Sequence, residues 1–190
     1  MSVAETLRIH HFEPFSYSNG PGKRAVLWLQ GCTLNCPGCF NPQTHSPTGG
    51  ASVQLSGLLS RIFRISPSIE GITISGGEPL QQLRPLLRFL AEIRQKTHLS
   101  VILFTGFTPE EINTFPASNK LSELIDVLIA GRYDKSHPSE NLWIGSSNKT
   151  IHFFSSRYSM ADLLHVPTGE IIIEQSGELL FSGIDPLIFR

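Results

Sequence analysis

The stretch RAVLWLQGCTLNCPGCF, residues 24–40, joins an apolar run directly to a cluster of cysteines. Residues 24–30 are almost entirely apolar and are followed by Gly31, as expected of a buried strand that ends there. All three cysteines of the chain follow within eight residues: Cys32, Cys36 and Cys39. The sequence therefore predicts a thiol-rich loop at the end of a buried strand.

Strand-like and helix-like segments alternate on both sides of this stretch. We predict strands at residues 24–30, 72–75, 99–104 and 125–129, and helices at 53–65, 80–97 and within 108–124. This alternation predicts an α/β fold with a parallel sheet and helical crossovers. Residues 1–23 contain Gly20-Pro21-Gly22 and are predicted to be a loop.

The C-terminal part of the chain follows a different pattern. Residues 150–154 (TIHFF) are predicted to form a strand. Residues 170–183 (EIIIEQSGELLFSG) predict a β-hairpin with two strands around Gln175-Ser176-Gly177. We interpret this hairpin as a C-terminal addition to a single domain, because 190 residues are too few for two ordinary domains.

Composition and charge give no indication of several classes of function. The formal net charge is −1 and no block of like charges occurs, so general affinity for nucleic acid or anionic membranes is not indicated. The N-terminal segment does not resemble a signal peptide, and the apolar runs are far shorter than the ~20 residues that a membrane helix needs. We therefore expect a cytoplasmic protein with reduced thiols, in which clustered cysteines indicate a metal site before they indicate disulfides.

The spacing C-x3-C-x2-C lets a single loop wrap a small metal core, and Pro37 and Gly38 help that loop to turn. A 4Fe–4S cluster ordinarily takes four cysteines, so three would leave one iron without a protein thiolate and open to a substrate. A structural zinc site with His45 as the fourth ligand is an alternative of common composition. A loop of reduced thiols without metal is a third interpretation, and the spacing alone does not decide among them.

Together with a second segment, this loop resembles the radical S-adenosylmethionine (SAM) superfamily. The second segment is Gly76-Gly77-Glu78-Pro79, which follows the next predicted strand. Within the superfamily the chain is most similar to the small activases of glycyl-radical enzymes, in particular those of anaerobic ribonucleotide reductase. Further stretches support the resemblance: NGPGKR (19–24, with Asn19 where the family usually has Asp), LQGCTLNCPGCFN (29–41), FTGFT (104–108), DVLIAGR (126–132) and GSSN (145–148).

The resemblance covers residues 16–152 or so and implies a fold. That fold is a partial (β/α) barrel of the radical SAM type, with the cluster at the C-terminal end of its strands, where parallel α/β folds place their chemistry. The extent of the resemblance divides the single domain 1–190 into a core at about 16–152 and a strand and hairpin extension at 153–190. The resemblance does not extend to the hairpin near residues 169–183.

The resemblance also implies a 4Fe–4S cluster and SAM as cofactors. Cys32, Cys36 and Cys39 would hold three irons, and the amino and carboxylate groups of SAM would chelate the fourth. An electron from the reduced cluster would break the S–C5′ bond, and the 5′-deoxyadenosyl radical would take a hydrogen atom from a partner glycyl-radical enzyme. Such cleavage needs a low potential and hence a strong reductant such as reduced flavodoxin. A different peptide or a small molecule as the target is one alternative, and a non-enzymatic zinc-binding interaction module is another.

The GGEP segment is expected at the methionyl end of SAM. Glycines at a strand end let the backbone approach a ligand closely, so Gly76 and Gly77 are predicted cofactor contacts. Glu78 would pair with the ammonium group of SAM. The alternative is a Gly-Gly turn followed by a solvated glutamate.

The other SAM contacts implied by the resemblance are Phe40, Thr105, Asp126, Ser147 and Asn148. Thr105 would reach the ribose region, with Phe104 or Phe107 nearby. Asp126 or Arg132 would meet the SAM carboxylate or ribose, but a strand-end salt bridge is an equal alternative. Ser147 and Asn148 would bind SAM from the last loop of the barrel, or else build an Asx-type turn.

Overall fold

A seven-stranded mixed sheet forms the centre of the molecule. The computed structural model describes residues 5–139, 143–173 and 176–183. The strands are β1 (Thr6–Ser16), β2 (Arg24–Leu29), β3 (Ala51–Gln54), β4 (Gly71–Gly76), β5 (Ser100–Thr105), β6 (Val127–Ala130), β7 (Thr150–Phe153), β8 (Gly169–Ile173) and β9 (Leu179–Gly183). The helices are α1 (Leu55–Ile65), α2 (Leu83–Lys96), α3 (Pro109–Asn113), α4 (Asn119–Leu124) and α5 (Met160–Leu164).

The four central strands are parallel. The sheet order is β3-β1-β2-β4-β5-β6-β7, and β2, β4, β5 and β6 pair in parallel register. One row of paired residues crosses all four: Leu27, Ile74, Leu103 and Leu128. Because the strands are parallel, all four carboxyl ends lie at one edge of the sheet, which is where ligands bind in such folds. The predicted α/β fold with a parallel sheet is confirmed.

Period-two alternation along the central strands sends side chains to two cores. Leu27, Ile74 and Leu103 pack on one face, where the apolar stripe of α2 covers them with Leu86, Phe89, Leu90 and Ile93. On the other face, Ile102, Val127 and Ile129 pack with Trp143, Leu163 and Val166. α1 and α2 thus cover one face of the sheet, and residues after β6 pack on the other.

The prediction of a loop over residues 1–23 was wrong, because β1 runs from Thr6 to Ser16. β1 pairs antiparallel with β2 and with β3, a short strand that the sequence analysis did not predict. The pairing of β1 with β2 is irregular between Ile9 and His11 and again between Glu13 and Ser16. Such irregularities break the alternation of apolar and polar residues by which a strand is recognised in a sequence.

β8 and β9 form a separate two-stranded antiparallel sheet. Ser176 and Gly177 of the predicted turn are described, whereas Gln175 lies outside the described residues, as do residues 184–190 of the predicted extension. In the part of the chain that the structure describes, no helix has the length and apolar character to cross a membrane.

Candidate active site

A cavity of about 640 Å³ opens at the carboxyl edge of the parallel strands. The cysteine loop after β2, the segment after β4 and the end of β5 contribute to its wall. Eight of the residues predicted as site residues line it: Cys32, Cys36, Cys39, Phe40, Gly76, Gly77, Glu78 and Thr105. The convergence of these segments follows from the parallel register, since each begins where a central strand ends.

Hydrogen bonds close the cysteine loop at its base. The N–H of Gly31 donates to the carbonyl of Thr44 (2.7 Å), and the N–H of Cys32 donates to the carbonyl of His45 (3.1 Å). The buried Gln30 amide donates to the carbonyls of Gln43 (3.1 Å) and Ser46 (2.8 Å). The loop is therefore held at both ends, while its three cysteines are half-buried free thiols.

The donor set suits a three-thiolate cluster. Burial raises the pKa of the Cys32 thiol, and a hydrogen bond from the backbone of Leu34 opposes that shift. Thiolates on one zinc ion lie about 3.8 Å apart, given Zn–S bonds of about 2.3 Å. All four residues of the zinc alternative are described, and no group of three or more His, Cys, Asp or Glu among the described residues is arranged to hold a single metal ion. Three thiolates around one cavity suit a larger core in which each binds its own iron.

Gly76 and Gly77 lie against the backbone of β2 and of the cysteine loop. The N–H of Gly77 donates to the carbonyl of Leu29 and the N–H of Glu78 donates to the carbonyl of Gly31, both at 2.8 Å. A Cβ at Gly76 would overlap the backbone of Leu29, and one at Gly77 would overlap that of Gly31. Gly76 also has φ of +106°, a conformation that favours glycine. The two glycines are thus required for the contact between this segment and the cysteine loop.

Glu78 is fully buried, so the alternative of a solvated glutamate is wrong. Its Oε1 accepts from the N–H of Leu80 (2.9 Å) and the hydroxyl of Thr105 (2.7 Å), and its Oε2 accepts from the N–H of Gly106 (2.7 Å). Burial raises the pKa of the Glu78 carboxyl, and these hydrogen bonds oppose the shift. The carboxylate therefore joins the end of β4 to the end of β5 beside the cavity.

Aromatic rings cover two further parts of the wall. Phe40 is about half exposed, and its ring centroid lies 4.5 Å from that of Tyr133. Phe104 makes an edge contact with Trp143, with the centroids 5.2 Å apart. All four residues line the cavity. Its apolar wall is thus continuous with the second core of the sheet.

Comparison with known proteins adds the decisive observation. The model of a family described as "4Fe-4S single cluster domain" matches residues 18–152. The anaerobic ribonucleoside-triphosphate reductase-activating protein of enterobacteria phage T4 is 30% identical over 142 residues, which are 73% of this chain and 88% of the relative. The protein of the same name from Escherichia coli K12 is 30% identical over 154 residues, which are 77% of this chain and 98% of the relative.

The chain belongs to the radical SAM activating-protein family. A third relative of that name, from Vibrio cholerae, is 28% identical over 156 residues, 78% of this chain and 99% of the relative. The crystal structure of QueE from Escherichia coli is similar over 54% of this chain and 53% of its own, with 21% identity and a TM-score of 0.41, too partial a likeness to add to the conclusion. Membership confirms the prediction of a 4Fe–4S cluster and SAM as cofactors.

The structure places Asp126 away from the cavity of this radical SAM protein. Asp126 precedes β6, at the amino end of the strand, and its buried carboxylate accepts from Arg94 (2.8 Å), from the N–H of Val101 (2.7 Å) and from the hydroxyl of Ser155 (2.6 Å). The predicted SAM contact is thereby corrected in favour of the strand-end salt bridge. Arg24, the last residue of the NGPGKR stretch, is likewise buried at the amino end of its strand, β2.

Ser147 and Asn148 are exposed and do not line the cavity. The N–H of Ser147 donates to the carbonyl of His137 (2.8 Å), and the side chain of Asn148 donates to the carbonyl of Arg132 (3.0 Å). Arg132 itself forms a bidentate pair with Glu111, at 2.7 and 2.8 Å. These contacts stabilise the loops after β6. They join distant residues and are not those of an Asx-type turn, so neither arrangement expected for Ser147 and Asn148 is seen here.

Lys149 lines the cavity of this radical SAM site and was not predicted. Its ammonium group donates to the carbonyl of Gly131 (2.6 Å). Burial lowers the pKa of Lys149, and the nearby Cys36, Glu78 and Cys39 oppose that shift. Its position directly after the GSSN stretch could have indicated that Lys149 lies at the site. An isolated lysine, however, is usually a solvated surface residue.

The C-terminal sheet also reaches the cavity of this radical SAM protein, which the sequence analysis did not anticipate. Ile172 of β8 and Leu180, Phe181, Ser182 and Gly183 of β9 line the cavity. The strands fall outside the residues that the family model matches. No signal in the sequence indicates where such an addition packs, because its apolar residues suit any partly buried surface.

Proposed function

We propose that this protein is an activating enzyme that generates a radical from SAM and transfers it to an anaerobic ribonucleoside-triphosphate reductase, a glycyl-radical enzyme. The observation that carries the proposal is the convergence of Cys32, Cys36 and Cys39 with the Gly76-Gly77-Glu78 segment on one cavity. The names of the relatives, all activating proteins of that reductase, support the choice of partner.

Cys32, Cys36 and Cys39 would hold the 4Fe–4S cluster and, as the only cysteines of the chain, would leave one iron for the amino and carboxylate groups of SAM. Held there and reduced by an external donor, the cluster would supply one electron for the cleavage of SAM to methionine and a 5′-deoxyadenosyl radical, and that radical would take a hydrogen atom from the partner. The hydrogen bonds at the base of the loop would hold the thiolates in one arrangement throughout.

The remaining wall would bind and orient SAM. Gly76 and Gly77 bring bare backbone to the cavity, and Glu78 and Thr105 fix the two strand ends that flank it. Glu78 has one acceptor position left after its three hydrogen bonds, which suits the proposed contact with the SAM ammonium. Phe40, packed on Tyr133, would shield one side from water. We include Lys149 as a positive charge facing the thiolates and the SAM carboxylate.

The proposed architecture is a partial (β/α) barrel with a C-terminal addition in one domain, residues 1–190. The central parallel strands, with α1 and α2 on one face and the cavity at their carboxyl edge, support it. The span of the family match, residues 18–152, supports a core at about 16–152 and an extension at 153–190. We further propose a cytoplasmic location and a strong reductant such as flavodoxin, since sulfonium cleavage requires the low end of iron–sulfur potentials.

Anaerobic reconstitution with iron and sulfide, followed by SAM and dithionite, tests the proposal. We expect 5′-deoxyadenosine and methionine from the enzyme alone. With the anaerobic reductase of the source organism added, we expect a glycyl-radical signal in the EPR spectrum of the reductase. Absence of both products from cluster-loaded enzyme would contradict the SAM chemistry, whereas products without a radical on the reductase would contradict only the partner.

A further inference from the structure

We propose that the outer face of the C-terminal sheet β8–β9 is the surface on which the partner reductase docks, through an apolar segment next to the residue that is activated. This inference rests on the proposed function, because it assumes that the substrate is a protein. It concerns a part of the chain that lies outside the family match at residues 18–152.

The sheet is fixed beside the cavity by its inner face. Glu170 accepts hydrogen bonds from the hydroxyl of Ser16, from the N–H of Tyr17 (2.8 Å) and from the hydroxyl of Ser18 (3.0 Å). The side chain of Asn19 donates to the hydroxyl of Ser182 (2.8 Å). Glu170 and Ser182 are directly paired across the two strands, so both contacts are made by one end of the inner face. The inner face is therefore occupied by the protein itself.

The outer face is apolar and exposed. Ile171, Ile173 and Leu179 form one patch on the side opposite Glu170, and Phe181, the cross-strand partner of Ile171, continues it to the wall of the cavity. Their exposed fractions range from 40% for Ile171 to 72% for Ile173. Contiguous exposed apolar patches often mark interaction surfaces, whereas single exposed apolar residues are common on any protein.

The position of the patch indicates its occupant. Ile172 and Leu180, on the other side of the same two strands, line the cavity that would hold SAM. A protein substrate must deliver its target residue into that cavity, and the proposal takes the flanking polypeptide across this sheet because the sheet forms part of the cavity wall. Each strand of the sheet pairs only with the other among the described residues, which leaves backbone groups at both edges for an extended segment of the partner.

Charge favours a protein over a membrane as the occupant. The two strands, GEIII and LLFSG, contain no lysine or arginine. Surfaces that bind anionic bilayers combine apolar residues with such cations. An apolar face without them matches the core of a protein interface.

The test compares Ile173→Asp/Leu179→Asp with Met160→Asp/Leu164→Asp. Ile173 and Leu179 do not line the cavity. The control pair lies on α5 and is similarly exposed, at 46% and 52%. We expect both variants to keep the iron content and the partner-free yield of 5′-deoxyadenosine of the wild type. We expect only the β8–β9 variant to weaken binding of the reductase, by about tenfold or more in anaerobic calorimetry.

The milder variant Ile173→Ser, which introduces no charge, should show a smaller loss in the same direction and confirms the site if the double variant misfolds. Equal binding by wild type and both β8–β9 variants would overturn the inference. The inference would also be overturned if the wild type formed a dimer that these variants dissociate. It would likewise be overturned if the wild type bound anionic vesicles and these variants did not. A wild type that cleaves SAM but does not bind the reductase would overturn the proposed partner together with this inference.

Discussion

At the scale of single residues, Glu78 links the stability of the fold to the site. Its carboxylate is fully buried and accepts three hydrogen bonds that join the ends of β4 and β5. The sequence could suggest a SAM contact here, but not the structural contacts, because Thr105 and Gly106 are 27 and 28 residues away in the chain.

We predict that Glu78→Ala lowers the free energy of unfolding by about 2–4 kcal/mol, because two backbone N–H groups and a hydroxyl lose their buried acceptor. SAM affinity should fall at least about tenfold as well, through loss of the charge pair. Anaerobic denaturation and SAM titration of cluster-loaded protein measure the two effects. Glu110→Ala, on the exposed face of α3, is the control. Unchanged unfolding in Glu78→Ala would contradict the structural role.

The cysteines allow a simpler test at the same scale. Cys36→Ala should abolish the 4Fe–4S cluster, because two thiolates remain and the chain has no substitute cysteine. Iron and sulfide analysis with Mössbauer spectroscopy measures the loss. A variant that retains a full cluster would show that Cys36 is not a ligand.

At the scale of elements, the Gly76-Gly77 segment and the cysteine loop form one unit. The N–H groups of Gly77 and Glu78 donate across to the carbonyls of Leu29 and Gly31. Neither glycine has room for a Cβ. A change in the segment after β4 should therefore be transmitted to the loop that carries the thiolates.

We predict that Gly77→Ala displaces the cysteine loop and lowers the bound iron per chain, although residue 77 is not an iron ligand. Gly57→Ala is the matched control, because a Cβ there meets nothing within 4 Å on the exposed side of α1. The control should raise the free energy of unfolding by about 0.5–1 kcal/mol, as in other helices. Full iron loading of Gly77→Ala would show that the loop tolerates the added methyl group.

Arg24 ties the amino ends of three elements together. Its guanidinium donates to the hydroxyls of Thr73 (2.9 Å), Ser100 (3.0 Å) and Tyr158 (2.9 Å) and to the carbonyl of Ile72 (2.8 Å). Burial lowers the pKa of Arg24, and Tyr158 opposes that shift. We predict that Arg24→Leu costs about 2–4 kcal/mol of unfolding free energy but leaves iron content and SAM binding intact. Loss of the cluster with normal stability would instead place Arg24 at the site.

At the scale of the whole molecule, local patterns predicted the parallel core and the cysteine loop, because continuous apolar runs and clustered thiols are visible in a short window. β1 was missed because its pairing irregularities disturb the alternation. Asp126, Ser147 and Asn148 were assigned to the site although their partners lie elsewhere in the fold. The two strands of the sheet β8–β9 were predicted, but their place at the cavity and the role of Lys149 were missed, because both depend on packing between distant segments, which no local pattern contains.

The central claim is that three thiolates hold a 4Fe–4S cluster with one coordination position open to SAM. Mössbauer spectra of ⁵⁷Fe-reconstituted protein, recorded with and without SAM, test it most directly. We expect one iron of the cluster to change its isomer shift and quadrupole splitting when SAM is added, while the other three keep theirs. Four irons that are all unaffected by saturating SAM, or a single bound zinc in place of the cluster, would contradict the account.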